Sequence, residues 1–167
     1  MAGATICPSG LGNSTADGKC EESIDFKRMI HKIHAADIVV YGFGGSVNDF
    51  AGVTYPGRLN QCESCHAANT YYPVDATKVR ATTTSTGADR RIPTDDTALS
   101  PNAAVCTGCH SSTAAWAHME QNGALEGAKQ ADGTVLNSAE TCQVCHAAGR
   151  SADVKVMHEV GIYTFDD

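Results

Sequence analysis

The cysteines and histidines of this sequence are spaced in a way that indicates one specific chemistry. Six of the eight cysteines form three pairs; in each pair two residues separate the cysteines and a histidine follows directly. The three motifs are Cys62, Cys65 and His66; Cys106, Cys109 and His110; and Cys142, Cys145 and His146. C-x-x-C-H is the attachment signature of c-type haem.

The spacing within each motif has a geometric reason. Two thiols one short turn apart can each bond one vinyl group at the porphyrin edge, and the next residue then lies beneath the ring. Its imidazole can bind the iron there, as the proximal histidine of a haem protein does. We therefore expect three covalently attached haem c groups, with the proximal iron ligands His66, His110 and His146.

A zinc site is the main alternative, because C-x-x-C pairs also bind zinc. Zinc ribbons combine two such pairs into four thiolates, so three pairs would leave one unmatched, and zinc does not require a histidine after every pair. A thioredoxin-like redox motif would occur once and without that histidine. The pattern as a whole favours haem.

Four histidines outside the motifs are candidates for the sixth iron position. Histidine there gives a low-potential iron closed to other ligands, whereas methionine raises the potential. We expect the distal ligands to be His34, His118 and His158, with His31 in reserve. The methionines near these histidines are Met29, Met119 and Met157. Packing of a thioether against a porphyrin edge is a commoner use of methionine than iron ligation.

The two remaining cysteines are Cys7 and Cys20, and no histidine follows Cys20. Haem attachment to C-x-x-C-H takes place outside the cytoplasm, where thiols tend to oxidise. We therefore expect a disulfide between them, with two free thiols as the alternative. Closing a loop of about 15 residues would stabilise the fold by about 3 kcal/mol.

The elements that must position these residues are short. The segment "SIDFKRMIHKIH" predicts a helix with Ser23 as N-cap, Asp25 in its first turn and an apolar stripe for burial. That stripe consists of Phe26, Met29, Ile30 and Ile33. Residues 38–41 read as a short strand, and the polar, hydroxyl-rich residues 77–101 read as a surface loop between the first and second motifs.

The composition predicts a thin side-chain core. Large aromatic residues are few (four Phe, five Tyr, one Trp) beside 16 glycines, so porphyrins would supply much of the interior. We expect a mostly α and irregular fold, with short helices and long loops packed around haems and little β structure. The expected organisation is a single trihaem cytochrome domain over 1–167, with a disulfide-closed N-terminal loop (1–20) and a haem-binding part (21–167).

Charge and hydropathy exclude some function classes. A net charge of −7 disfavours nucleic-acid binding. No apolar stretch of about 18 residues is present, so we expect no membrane-spanning segment. The start "MAGATICPSG" has no signal-peptide pattern. Either a signal peptide was removed and a start Met added, or, as we expect, the sequence is a piece of something longer.

Several segments occur in an order that resembles a known family. They are "FKRMIHKIHAA", "YPGRLNQCESCH", "CTGCHSSTAAWAHMEQNG" and "CQVCHAAGRSADVKVMHEV". From about Phe26 to Val160 the chain resembles the OmcA/MtrC family of outer-membrane decahaem cytochromes of metal-reducing bacteria. The resemblance implies a location at the cell surface or in the periplasm and electron transfer to iron and manganese oxides, flavins or partner cytochromes.

The chain departs from the family in two respects. A family domain holds five haems and this chain matches the last three, so one histidine of the HxxH pair would serve a haem that is absent here. The family's hydroxyl-Pro-hydroxyl segment, linked with oxide binding, has no good match, since "LSPNA" has Asn102 where Ser or Thr is wanted and "IPTD" lacks the first hydroxyl.

These features together predict an extracytoplasmic cytochrome that transfers electrons through three closely spaced bis-histidine haems, and not an enzyme. Metal or flavin reduction would then be outer-sphere electron transfer. The expected partners are other cytochromes or flavin, and a spare histidine could reach a neighbouring chain in an oligomer. The alternative is a haem enzyme with an open sixth site that reduces a small oxyanion.

Overall fold

The computed structural model describes residues 25–41, 47–72, 79–85 and 92–160. The helices within these ranges are α1 (Phe26–His34), α2 (Pro101–Cys106), α3 (Thr113–Gln121), α4 (Gln143–His146) and α5 (Val154–Met157). The strands are β1 (Val39–Tyr41), β2 (Val47–Asp49), β3 (Thr82–Ser85), β4 (Thr97–Leu99) and β5 (Glu126–Ala128). Single 3₁₀ turns lie at Cys62–Ser64 and Pro93–Asp95. The expected Cys7–Cys20 disulfide lies outside the described residues.

The strands form two antiparallel sheets. β1 pairs with β2, and β4 lies between β3 and β5 in the second sheet. In that sheet Thr82 lies opposite Leu99, and Ala98 lies opposite Gly127. The run Ile38 to Tyr41 was expected to be extended, and β1 confirms this.

The expectation of a mostly α fold with little β is wrong, because short helices share the described chain with these two sheets. The segment 77–101, expected to be a surface loop, contributes β3 and β4. Its threonines are β-branched and favour extended backbone. Buried hydroxyls can also be satisfied within a sheet, and the Thr84 Oγ1 donates to Glu126 at 2.7 Å.

The side-chain core is small and lies in the three-stranded sheet. Ala81, Ala98 and Val135 form it, with Leu125 partly buried against them. Beside it the ammonium of Lys129 contacts a carboxylate oxygen of Asp96 at 3.0 Å.

Helix α1 differs from its predicted form at both its start and its buried face. Asp25 is the N-cap and accepts a hydrogen bond from the Lys27 amide, so the helix starts two residues later than a Ser23 cap would place it. Phe26 of the predicted apolar stripe is 73% exposed, whereas Arg28 is 1% and Lys32 is 7% exposed. The buried face is the basic one, because these cations find partners in Thr107 and Asp37. None of the helices in the described ranges is long and apolar enough to cross a membrane.

Candidate haem-binding sites

The three C-x-x-C-H motifs adopt the same local turn. In each, the histidine amide donates to the carbonyl of the first cysteine, at 2.9 Å in the first two motifs and 3.0 Å in the third. The amide of the second cysteine donates to the same carbonyl, at 3.2, 3.2 and 3.3 Å in chain order. Both thiols and the imidazole therefore leave the backbone from one helical turn, as attachment to a porphyrin requires.

Each motif histidine faces one histidine from outside the motifs. The ring centroids lie 6.1 Å apart for His66 and His31, 5.9 Å for His110 and His158, and 6.1 Å for His146 and His118. Metal–imidazole bonds are about 2 Å long, so one metal ion between two facing rings separates their centroids by about 6 Å. The residues present therefore fit an iron held between two imidazoles, three times.

Each facing pair supplies two imidazoles to its site. Within the described ranges no group of three or more His, Cys, Asp or Glu side chains converges on one point. Two opposed imidazoles per site are what an iron already bound by four porphyrin nitrogens would need.

Backbone carbonyls orient two of the six imidazoles. The Nδ1 of His146 lies 2.9 Å from the Ala152 carbonyl oxygen, and the Nδ1 of His158 lies 2.8 Å from that of Val154. A ring whose Nδ1 donates to a carbonyl presents an unprotonated Nε2 to a metal. Burial, and then the neighbouring His66, lower the pKa of His31, and burial and His158 lower the pKa of His110. Both shifts favour the neutral form that binds iron.

The two histidines of α1 have different surroundings. The ring of His31 faces that of His66, whereas the ring of His34 packs against Tyr55 with 4.9 Å between centroids. His31 lies three residues after the buried Arg28, so the two share a helix face. The expected preference for His34 rested on the apolar stripe, which is not the face that α1 buries.

The thiols of the second motif interact electrostatically with thiols of the first and third motifs. Burial raises the pKa of the Cys106 thiol to about 11, and the neighbouring Cys142 adds to the shift. Burial also raises the pKa of the Cys109 thiol, with a further contribution from Cys62. Such interactions weaken with distance. The second motif therefore lies next to both the first and the third.

Helix α5 is tied to the first motif, although the ring of His158, which directly follows the helix, faces the second. The Asn60 side chain donates to the His158 carbonyl at 2.8 Å. The Lys155 ammonium lies 3.2 Å from a carboxylate oxygen of Glu63 and 5.6 Å from the centroid of the Tyr71 ring. Because of these contacts, α5 bridges the first and second sites.

Glu140 joins the second and third sites and was missed by the sequence reasoning. Its carboxylate accepts hydrogen bonds from the Ser100 hydroxyl at 2.6 Å, from the amides of Asn102 and Ala103 at 2.8 and 2.9 Å, and from the Asn102 side chain at 2.8 Å. These donors lie at the start of α2, which ends at Cys106. A negative charge stabilises a helix start. No local pattern in the sequence indicates this long-range contact.

Large apolar side chains are exposed around the motifs and the distal helices. Phe26 is 73%, Val144 69%, Val156 62% and Met157 58% exposed. A porphyrin attached at the adjacent cysteines would cover such side chains.

Comparison with known protein families agrees with this arrangement. Residues 6–159 match the family described as outer membrane cytochrome MtrC/MtrF-like, domains II/IV. The match confirms the family resemblance, and the family's association with the outer membrane confirms the extracytoplasmic location. Among curated proteins none matches the chain. With most of its 167 residues matched, the chain belongs to the MtrC/MtrF-like outer membrane cytochromes, which are electron-transfer proteins.

Proposed function

We propose that this chain conducts electrons through three covalently attached haem c groups, each held between two histidines. The proposed axial pairs are His66 with His31, His110 with His158, and His146 with His118. The spacing of about 6 Å in all three pairs carries the proposal, because each pair joins one motif histidine to one outside it. His31 thus takes the place of His34 among the proposed distal ligands.

At each proposed site, two histidines of the chain would hold the haem iron. Haem c supplies the one-electron couple between ferric and ferrous iron. Two neutral imidazoles hold the iron in one coordination state and leave no position for a substrate. This supports electron transfer over the alternative, a haem enzyme with an open sixth site that reduces a small oxyanion.

The closeness of the second motif to both of the others supports electron exchange between neighbouring haems. Cys109 of the second motif is close enough to Cys62 of the first for its pKa to be affected, and Cys106 is similarly close to Cys142 of the third. The pKa of His110 is also lowered by His146, after burial and His158. The second haem would therefore lie between the other two and exchange electrons with both.

We propose the same domain organisation as the sequence predicts: one trihaem domain over 1–167, with an N-terminal loop over 1–20 closed by a Cys7–Cys20 disulfide and a haem-binding part over 21–167. The extracytoplasmic location of the family supports the disulfide, since thiols oxidise there. His34 needs no role in ligation here, and it could instead reach a neighbouring chain in an oligomer.

The proposed redox partners are other cytochromes or flavin, by outer-sphere transfer at a haem edge. The segment "LSPNA" is a poor candidate for contact with an oxide surface, because Ser100 is fully buried and Asn102 is 7% exposed. Reduction of metal oxides would therefore use an exposed haem edge and not this segment.

The intact mass and the ferric spectrum of the purified protein test the proposal. We expect the polypeptide mass plus three haems, with every haem low-spin and none able to bind carbon monoxide rapidly when reduced. A different haem number would overturn the count. A high-spin ferric haem in the resting protein would favour the enzyme alternative.

A further inference from the structure

The second haem-attachment motif contacts the helix that carries the distal histidine of the first. A Cβ placed on Gly108 would lie 2.7 Å from the Cβ of His31 and 3.0 Å from the Val105 carbonyl oxygen. The His31 Cβ is fixed by the backbone of α1, so rotation of the side chain cannot relieve this contact. Only glycine allows α1 to approach the motif this closely.

Attachment itself does not demand glycine at this position. Ser64 and Val144 occupy the equivalent place, directly before the second cysteine, in the other two motifs. Val144 is 69% exposed, so the motif turn accepts a branched side chain there. The requirement for Gly108 therefore comes from α1 and not from the second haem.

The residue beside Gly108 holds α1 in place. Arg28 is 1% exposed, and its Nη1 donates to the Thr107 hydroxyl oxygen at 2.8 Å. That hydroxyl in turn donates to the Ala103 carbonyl within α2 at 2.7 Å. Arg28 and His31 are one helical turn apart, so both contacts act on the same part of α1.

We propose that Gly108 and Thr107 are positioning residues for the first haem, although they belong to the motif that attaches the second. Gly108 sets how closely α1 approaches, and Thr107 fixes its register through Arg28. Together they place the His31 imidazole opposite His66. The inference rests on the proposed ligation of the first iron by His31.

Substitution of Gly108 by alanine in the haem-loaded protein tests this. The added methyl group pushes α1 away, and we expect one of three haems to become high-spin, as in His31→Ala. In the double variant Gly108→Ala/His31→Ala we expect still one high-spin haem, because both changes act on the same iron. Ferric electron paramagnetic resonance counts the high-spin haems, and intact mass verifies that three are attached. Gly52→Ala is the matched control, since nothing lies within 4 Å of its Cβ position.

Different results separate the possible failures. If His31→Ala leaves all haems low-spin, the proposed ligation is wrong. If it creates a high-spin haem but Gly108→Ala does not, the positioning role is overturned while the ligation stands. Two high-spin haems in the double variant would also overturn it, because Gly108 would then act on another iron.

A second variant covers the case in which Gly108→Ala does not accumulate. His31→Gly removes the Cβ that the new methyl group would meet, and added imidazole can replace the missing ligand. We expect Gly108→Ala/His31→Gly to accumulate with three haems and to become low-spin in imidazole, like His31→Gly alone. If His31→Gly meets both expectations and the double variant does not, Gly108 is needed for a reason other than its contact with His31. That result would overturn the proposal.

Discussion

The ring of His158 faces that of His110 at 5.9 Å, yet the carbonyl of His158 is held by Asn60, which lies just before the first motif. A similar exchange occurs at the other end of the chain, where α1 places His31 opposite His66 and is held by Thr107 of the second motif. Each of these two proposed distal histidines is thus supported by a residue in or just before the motif of another site. A substitution at one site is therefore expected to affect the haem of another site.

The two histidines of α1 should behave differently when replaced. His31→Ala is expected to make one haem high-spin and to raise its potential, because a neutral strong-field ligand is lost. His34→Ala should leave all haems low-spin and cost about 0.5–1 kcal/mol through lost packing on Tyr55. The ferric spectrum and a redox titration of each variant check this. The reverse result would restore His34 as the distal ligand.

Loss of the Asn60 side chain should loosen the second site. Asn60→Ala removes the hydrogen bond to the His158 carbonyl, worth about 1 kcal/mol. Transient loss of His158 from iron should then be about five-fold more frequent, seen as faster carbon monoxide binding to the reduced protein. Asn48→Ala is the control, since the hydrogen bond from its side chain to the Val40 carbonyl is exposed and lies in the β1–β2 sheet. Equal binding rates in the two variants would contradict the role of Asn60.

Glu140→Gln should destabilise the haem-loaded protein by about 1.5–3 kcal/mol, because charged hydrogen bonds to the start of α2 are lost. The free energy of unfolding in urea measures this. Glu120→Gln, on the exposed surface of α3, should change it by less than about 0.5 kcal/mol. If both variants change the free energy of unfolding by a similarly small amount, the contact of Glu140 with α2 does not stabilise the protein.

The ion pair in the three-stranded sheet should show coupling. Lys129→Met leaves the Asp96 carboxylate, whose side chain is 9% exposed, without its cation, and should cost about 2 kcal/mol. Adding Asp96→Asn removes the uncompensated charge, so the double variant should be less destabilised than the sum of the single ones. Urea unfolding of the four proteins gives the coupling energy. Strict additivity would mean that the pair contributes nothing.

Thiol titration tests haem attachment and the disulfide together. With six cysteines in thioether bonds and Cys7 joined to Cys20, none of the eight cysteines should react in the denatured protein. A disulfide reductant should release two thiols, because thioethers resist it. Two reactive thiols before reduction, with no more released by the reductant, would show that Cys7 and Cys20 are free. Any larger number would mean that a motif had not bound haem.

The sequence predicted those features that depend on neighbouring residues. The three motif turns, the strand after Ile38 and the helix around His31 are all within reach of local rules. The threonines of β3 were expected to lie in a surface loop because they are polar. Their β-branching favours a strand instead, and their pairing partners lie on another strand, β4. The buried face of α1 was also misread, since apolar spacing identifies the buried face only where a side-chain core is there to receive it.

The C-x-x-C-H spacing alone indicated the class of cofactor and predicted the proximal ligands, because one helical turn contains every atom that attachment needs. Only the tertiary structure could decide which distant histidine faces which motif, that Gly108 must lack a side chain, and that Glu140 meets α2. Those relationships join residues far apart in the chain. They arise from packing and charge in the folded protein. The periodicity of apolar residues along a short segment carries no information about such contacts.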